Sequence, residues 1–565
     1  MKANKFFLGL ALVGAILTAC EKEPQTQTGE YDTQSYMSVS IAQAGATRGT
    51  EGEPAFLQGS EAENKITTVD FYFYKADGTA FNFGSDAKNG ANQSFNNSNV
   101  YTYKPGGITN ENDNIDEIVD ATLVIQHNTG NIPAYMIAVV NCTAGTYAGQ
   151  PLATVKASVI NAADYVNSNG HIMTNSVYVG ADGKIVMETP ITIDNLAINA
   201  ADAEKNPVKI YVERTAARIE VKEATAKDVY DTNTNITDAM GTTTHVYAKI
   251  IGWDVVTYAN TTTLAKEIDL SWEATINGLT WNQPALYRSY WAKATPALTK
   301  TFSWNSLTKD GDNRGVKGNV IGDVDYCLEN TTLPVYATQT TDAGETVEDK
   351  DVSRTNVTKV VVAAQLFSDE AGTQEVKIAN WYGQYYTLDG LKAVVAQSLK
   401  NDLILKVGET YTPITPAQIT VVTNEGDVQN SYEVYFKLVD GIEGTWYAID
   451  ADNKYVAVED ANEVLADVEN AKIWNGKSYY IVNIEHLGAK ERVGETTEYA
   501  PAFYGVVRNH AYEITFSGVQ GLGTPVYNPE TVYPEPVTPE NTESYVAAEI
   551  NVLAWHLVKQ TVTLQ

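Results

Sequence analysis

The end of the chain constrains its fold more than any other segment. Residues 545–565 follow a proline run (Pro525, Pro529, Pro534, Pro536, Pro539) and read, from Ser544, SYVAAEINVLAWHLVKQTVTLQ. Ala548, Ile550, Val552, Ala554, Val558, Val562 and Leu564 alternate, the period-two pattern of a half-buried strand. Leu553, Trp555 and Leu557 add apolar side chains to the opposite face, so the middle of this strand needs cover on both sides. A long apolar edge aggregates unless something covers it, and nothing in the neighbouring sequence offers a partner. The preceding prolines donate no ladder hydrogen bonds and favour extended geometry, which suits a spacer holding the strand away from its own body. The tail therefore reads as a strand made for another molecule.

The other end fixes the compartment. Lys2 and Lys5 precede an apolar run from Phe6 to Leu17, short for a membrane-spanning helix and right for a secretory signal. It closes in Leu17-Thr18-Ala19-Cys20, the pattern of a bacterial lipoprotein box, in which Cys20 is acylated and becomes the new N-terminus. Residues 21–48 follow as a polar tether carrying one short strand, in which Met37, Val39 and Ile41 alternate. Next comes AQAGATRGTEGEPA, a loop of small residues around Arg48, open in character to a trypsin-like protease.

Beyond Cys20 the chain has only Cys142 and Cys327, so no disulfide framework holds it together, and buried free thiols are the simplest reading of the pair. Thirty-four tyrosines with abundant Val and Thr favour pleated structure over helix. Seventy acidic against 39 basic residues give a formal charge of −31, which argues against nucleic-acid binding and describes a solvated, self-repelling exterior.

Strands are expected at ITTVDFYFYK from Ile66, at AYMIAVVN, along VKIYVERTAARIEVKEA from Val208, at HVYAKIIGWDVV from His245, at TKVVVAAQLF from Thr358 and at YEVYFKLV from Tyr432. The Val208 segment has no cleanly apolar face, which calls for a bulge near Arg214 or for arginines paired across strands. PAFYGVVR and HAYEITFSGV, separated by Asn509, read as a hairpin with Tyr512, Ile514 and Phe516 on one face. Two covering helices are expected at 387–400 and 459–470.

No chemistry stands out. The six histidines are scattered without a metal-ligand or triad spacing, and no phosphate loop or nucleophile elbow occurs. DGDNRG at Asp310 and DADNK at Asp450 open like calcium loops, but Ile321 and Ala461 stand where the bidentate Glu belongs. We expect no catalytic residues, no metal, no cofactor and no enzyme activity, although abundant carboxylates leave a paired-carboxylate hydrolase open.

The lipoprotein box, MSVS at Met37 to Ser40, the Arg48 loop, VERTAARIEV at Val212, YRSYWA at Tyr287, YCLENTT at Tyr326 and YGVVRNHAYEITFSGVQGLGTP from Tyr504 occur in an ordered set. In this set the chain resembles the Bacteroidales fimbrillin superfamily, the type V pilins, and within it the shaft subunits of the short (minor) fimbria. The resemblance implies export as an outer-membrane lipoprotein precursor, followed by cleavage between Arg48 and Gly49 by an arginine-specific surface protease. That cut removes the first strand, with Met37, Val39 and Ile41, and uncovers an apolar groove. The tail of a neighbouring copy, with Ala548, Ile550, Val552, Leu553, Ala554, Trp555, Leu557, Val558, Val562 and Leu564, would fill it. Identical subunits then assemble head to tail on the cell surface with accessory tip and anchor subunits, supporting adhesion and biofilm formation.

The architecture expected is mainly β: two tandem, mostly antiparallel β-sandwiches, transthyretin-like with Greek-key connections, a few short helices and an extended donor strand. Along the chain, a signal (1–20) and a propeptide (21–48) precede sandwiches at 49–224 and 225–523, a Pro-rich linker (524–544) and the donor strand (545–565). The competing readings are a fimbrial tip or anchor subunit and a surface lipoprotein that binds glycans on Trp253, Trp281, Trp291 and Trp381. For those tryptophans core packing is the simpler expectation.

Overall fold

The computed structural model describes residues 34–43, 59–82, 98–104, 118–126, 132–176, 185–197, 199–267, 297–307, 318–332, 356–423, 433–486, 504–526 and 556–564, with a few short stretches between them. It is mainly β. The chain runs through β1 (Gln34–Gln43), β2 (Val69–Tyr74), β3 (Val100–Tyr103), β4 (Ile118–Gln126), β5 (Tyr135–Val140), β6 (Met173–Asn175) and β7 (Val208–Arg214). These form one sheet in the order β3-β2-β5-β6-β7-β1-β4.

Every residue of β2 is buried, because this sheet is covered on both faces. Val69, Phe71 and Phe73 pack with Met136, Ala138 and Val140 of β5, while Tyr72 and Tyr74 pack on the other side with Ile137 and Val139. Such a strand reads as a continuous apolar run rather than as an alternation. Its one acid, Asp70, is satisfied in the interior by Tyr72 Oη (2.8 Å), Thr102 Oγ1 (2.7 Å) and the Gly145 amide (2.7 Å). Burial nonetheless raises its pKa.

The chain continues through β8 (Ala216–Glu223), β9 (Tyr230–Thr237), β10 (Thr243–Val256), β11 (Val324–Leu328) and β12 (Lys359–Phe367). Then come β13 (Ile378–Trp381), β14 (Gln384–Thr387), α1 (Leu388–Ser398), β15 (Ile404–Val407), β16 (Thr410–Pro413), β17 (Ile419–Thr423), β18 (Glu433–Leu438), β19 (Thr445–Ile449) and β20 (Tyr455–Ala457). Further along come α2 (Ala461–Ala466), β21 (Ala471–Trp474), β22 (Lys477–Asn483), β23 (His510–Val519) and β24 (His556–Leu564), with shorter elements between.

A second sheet carries β11-β8-β23-β24 and a third runs β17-β18-β21-β13-β14-β9-β10-β12-β22. The two bury one core between them. Ala217, Ile219 and Val221 of β8 and Tyr512, Ile514 and Phe516 of β23 meet Val246 and Trp253 of β10, Val360 and Val362 of β12 and Tyr480 of β22. This is the face-to-face packing of a sandwich. A further core gathers around both helices: Leu391 and Val395 of α1 and Leu465 of α2 pack with Ala379, Val434, Phe436 and Ile473.

Both helices fall where their apolar stripes lie and start on side-chain caps. Thr387 accepts from the Gly390 amide and Asp460 from the Asn462 amide. Gly390 inside α1 has a packing reason, since a Cβ there would lie 2.3 Å from the Thr237 carbonyl oxygen of β9.

Three expectations are corrected. First, the Val208 segment is not one strand with a bulge: it leaves the first sheet after Arg214 and enters the second at Ala216, so the passage between sheets falls at Thr215. Neither face reads as apolar because the two halves serve different cores.

Second, the hairpin at Asn509 does not form. Asn509 has a positive φ of 58°, but Tyr504 and Val506 bridge to Glu485 and Asn330 instead of pairing with β23. The predicted inner face of β23 is correct, with Tyr512, Ile514 and Phe516 all buried.

Third, the tail is not without a partner in its own chain. β24 pairs with β23, and this pairing is parallel, as are β1–β7 and β8–β23. Cys142 and Cys327 are both free thiols. Burial, with a smaller contribution from Asp70, pushes Cys142 up to about 12.

Candidate strand-exchange site

The first strand sits inside a sheet. β1 lies between β7 and β4, parallel to the former and antiparallel to the latter. Val39, Ile41 and Gln43 stand in register with Val208, Ile210 and Val212, while Met37, Val39 and Ile41 face Leu123, Ala121 and Val119. Met37 is fully buried in the core that also holds Leu123, Val208, Ile210 and Val212.

Met37 thus enters the core from β1, whose backbone completes the sheet between β7 and β4. Among the described residues β4 has no sheet neighbour except β1. Taking β1 away would leave β4 unpaired and β7 as an open edge above a row of buried apolar side chains.

The body around this slot is braced by charges held in the interior. Arg214, at the end of β7, donates through Nε to the Glu63 carbonyl (3.0 Å) and through Nη1 to Asn509 Oδ1 (3.3 Å), and it also bonds Asn64. Arg218 on β8 donates through Nε to Glu63 Oε1 (3.1 Å) and through Nη1 to Glu220 Oε2 (2.7 Å). Tyr326 Oη donates to the same Glu63 oxygen at 2.7 Å. Burial pushes the Glu63 carboxyl up, but the hydrogen bonds from Ser60 and Tyr326 and the Arg218 charge outweigh it and leave the pKa below its ordinary value. Both arginines of the VERTAARIEV motif, one from each sheet, therefore converge on the Glu63–Asn64 segment.

Deeper in, Arg508 donates through Nε to Glu329 Oε1 at 2.9 Å, through Nη1 to the Leu264 carbonyl at 2.9 Å and through Nη2 to Thr262 Oγ1 at 2.7 Å, and its Nη2 also contacts Glu329. Lys266 Nζ lies 3.3 Å from Glu213 Oε2, both side chains almost wholly shielded from solvent. Sequence reading missed this cluster, because its four charges are far apart in the chain and only the fold brings them together.

The tail strand is placed by its backbone. β24 pairs with β23 from His510↔His556 to Val519↔Leu564, with Tyr512↔Val558, Glu513↔Lys559 and Phe516↔Val562 between them. Leu557, Val558, Val562 and Leu564 belong to this strand. Ala548, Ile550, Val552, Leu553, Ala554 and Trp555 lie outside the described residues, as do Cys20, Arg48 and Gly49.

Of the tryptophans, Trp253 is fully buried and donates to the Val320 carbonyl at 2.9 Å, and Trp381 is buried and donates to the Glu469 carbonyl at 3.0 Å. Both are core residues; Trp281 and Trp291 lie outside the described residues. DGDNRG also lies outside them. Asp450 of DADNK closes its own turn, accepting at Oδ1 from the Asp452 and Lys454 amides (2.9 Å each).

Residues 472–561 match the family described as major fimbrial subunit protein type IV, Fimbrillin, C-terminal. No curated protein sequence matches the chain. Among solved structures it is similar to a candidate cell adhesion protein from Parabacteroides distasonis ATCC 8503, at 11% identity over 94% of this chain and 99% of that one, with a TM-score of 0.33. It is also similar to the C-terminally truncated tip fimbrial protein Mfa3 from Porphyromonas gingivalis (9% identity, 59% and 78% covered, TM-score 0.27). A third is a fimbrial assembly protein from Parabacteroides distasonis ATCC 8503 (10% identity, 75% and 100% covered, TM-score 0.25). The matched segment runs from β21 through β22 and β23 into β24, so this C-terminal portion of the chain is similar to the C-terminal region of the fimbrillins.

Proposed function

We propose that the chain is the shaft subunit of a cell-surface fimbria that polymerises by strand exchange. It is exported as a lipoprotein acylated on Cys20 and held soluble by its own first strand. An arginine-specific protease cuts after Arg48, β1 leaves with the tether, and the tail of a neighbouring copy takes its place between β7 and β4.

The observation that carries this reading is the position of β1. A strand at the N-terminal end of the chain, joined to the body only through the segment containing Arg48, occupies the interior of a sheet and has Met37 in its core. A strand placed there completes two backbone ladders at once, and apolar side chains at alternate positions fix its register. Because donor and acceptor lie on different parts of the same chain, the contact is head to tail and propagates as a filament.

The fimbrillin C-terminal region supports the fimbrial role. Presence of both a cleavable first strand and a long apolar tail favours a shaft subunit over a tip or an anchor. The buried environments of Trp253 and Trp381 remove half of the aromatic platform on which the glycan-binding alternative rested.

The test is an Arg48→Ala precursor expressed in the native host. It should reach the cell surface folded but build no fimbriae. Fimbriae of normal length and number from this variant would overturn the cleavage step.

A further inference from the structure

The tail that a neighbour receives in the proposed polymer is held by its own chain in the single subunit. We propose that β24 is parked on the edge of β23, and that this self-contact competes with donation to a neighbour and so restrains assembly. The inference rests on the reading that the tail is the donor strand.

The parking site is a sheet rim. β23 has β8 on one side and β24 on the other, and β24 ends the sheet. Tyr512, Ile514 and Phe516, the register partners of Val558, Gln560 and Val562, are buried in the main core. An uncovered β23 would present a long edge directly above that core, and such an edge invites pairing with other chains. Parking protects both strands at once.

Glu513 of β23 is already tied across to β8. Glu513 accepts from Lys222 at 2.7 Å, Lys222 also reaches Glu220 at 3.1 Å, and Lys559 stands in register with Glu513.

Parking is nevertheless the weaker of the two places open to this strand. On β23 it makes one ladder, parallel, and the register is broken by an irregularity between Phe516 and Gly518. Parallel pairing is slightly less stable per residue than antiparallel, and a bulge interrupts it further. In the slot of β1 a strand is paired on both sides, to β7 and to β4.

The parked state is favoured by its intramolecular character, since a tethered strand sees its own edge at a high effective concentration. The slot is favoured by its second ladder. Before cleavage the slot is filled and the tail stays at home. After cleavage the open slot of another copy outcompetes β23.

The experiment pairs a lock with a deletion. Thr515 and Thr561 are register partners, and the spacing of paired strands suits a disulfide, so a Thr515→Cys, Thr561→Cys variant is trimmed at Arg48 and followed by light scattering. Oxidised, it should remain monomeric; reduced, it should polymerise at the wild-type rate. Failure of the disulfide to form, or equal polymerisation in both redox states, overturns parking.

A chain lacking residues 545–565 separates this from the underlying reading. If that chain still polymerises, the tail is not the donor and the proposed function falls. If it does not polymerise while the locked variant does, only the parking inference falls. Hydrogen exchange adds a readout without engineered cysteines. The amides of β23 should exchange at least tenfold faster in the deleted monomer and in wild-type fibres than in the wild-type monomer, and unchanged protection in both overturns the proposal.

Discussion

Arg508 and Glu329 meet in the interior of the protein, guanidinium Nε to carboxylate Oε1 at 2.9 Å, with side-chain exposures of 0% and 2%. Beside them Lys266 and Glu213 form a second pair with as little exposure. Burial raises the Glu329 carboxyl, but the charge and hydrogen bonds of Arg508 outweigh it and leave the pKa below its ordinary value. Burial prevails at Glu213, whose pKa is raised despite Lys266 and Arg508. The cluster joins Glu213 of β7 to residues that flank β11 and β23 of the second sheet.

Removing one member of this cluster should be far worse than removing two. Arg508→Met leaves Glu329 charged and buried, a change that costs about 3–5 kcal/mol. The double variant Arg508→Met, Glu329→Leu should recover at least half of that loss. Urea unfolding of the trimmed monomer measures both; equal destabilisation by single and double variants would contradict the pairing.

Acid should weaken the junction through His171. Its ring packs on Tyr326 at a centroid distance of 4.7 Å. Burial first, then the positive charge of Arg214, depress its pKa to about 4, while Glu63 opposes them. A folded pKa below the unfolded value of roughly 6.5 means that the unfolded chain binds the proton first. This contribution to stability is complete above about pH 6.5 and is lost as pH falls toward about 4, roughly 3 kcal/mol in all. A His171→Asn variant should show a correspondingly flatter decline of its urea midpoint between pH 7 and pH 4.5.

Gly390 is expected to tolerate no side chain. Alanine is the better helix former by about 1 kcal/mol, yet its Cβ would meet the Thr237 carbonyl oxygen, a backbone atom that cannot swing aside. The contact should win, with Gly390→Ala lowering stability by about 2 kcal/mol. A stabilised variant would contradict the close packing of α1 on β9.

Met37→Ala should destabilise the uncleaved precursor by about 2–4 kcal/mol, the range for truncating a fully buried large side chain. Protein trimmed after Arg48 no longer contains the residue, and its stability should be identical to wild type. Differential scanning calorimetry of both forms provides the comparison.

What the sequence disclosed, and what it did not, follows from how far each signal reaches along the chain. α1 was legible because Leu391 and Val395 share a stripe one turn apart and Thr387 caps it. The inner face of β23 was legible from Tyr512, Ile514 and Phe516 alone. First-strand periodicity at Met37, Val39 and Ile41 announced a strand, but its neighbours could not be read, since β7 lies far along the chain and pairs in parallel.

The supposed hairpin at Asn509 failed for the same reason. Tyr504 to Arg508 are drawn off by Glu485, Asn330 and Glu329, contacts that no local pattern encodes. Thr215 hides a change of sheet inside what looks like a single strand.

The central claim is that a neighbour's tail occupies the place vacated by β1. Lys209, exposed on β7 and in register with Ser40, stands beside that place and accepts a photo-crosslinking residue without loss of core contacts. In the Arg48→Ala precursor it should capture peptides from residues 34–43 of the same chain. In assembled fimbriae it should capture peptides from residues 545–565 of another copy. Fimbriae in which position 209 still captures residues 34–43, or captures no tail peptide at all, would contradict the account.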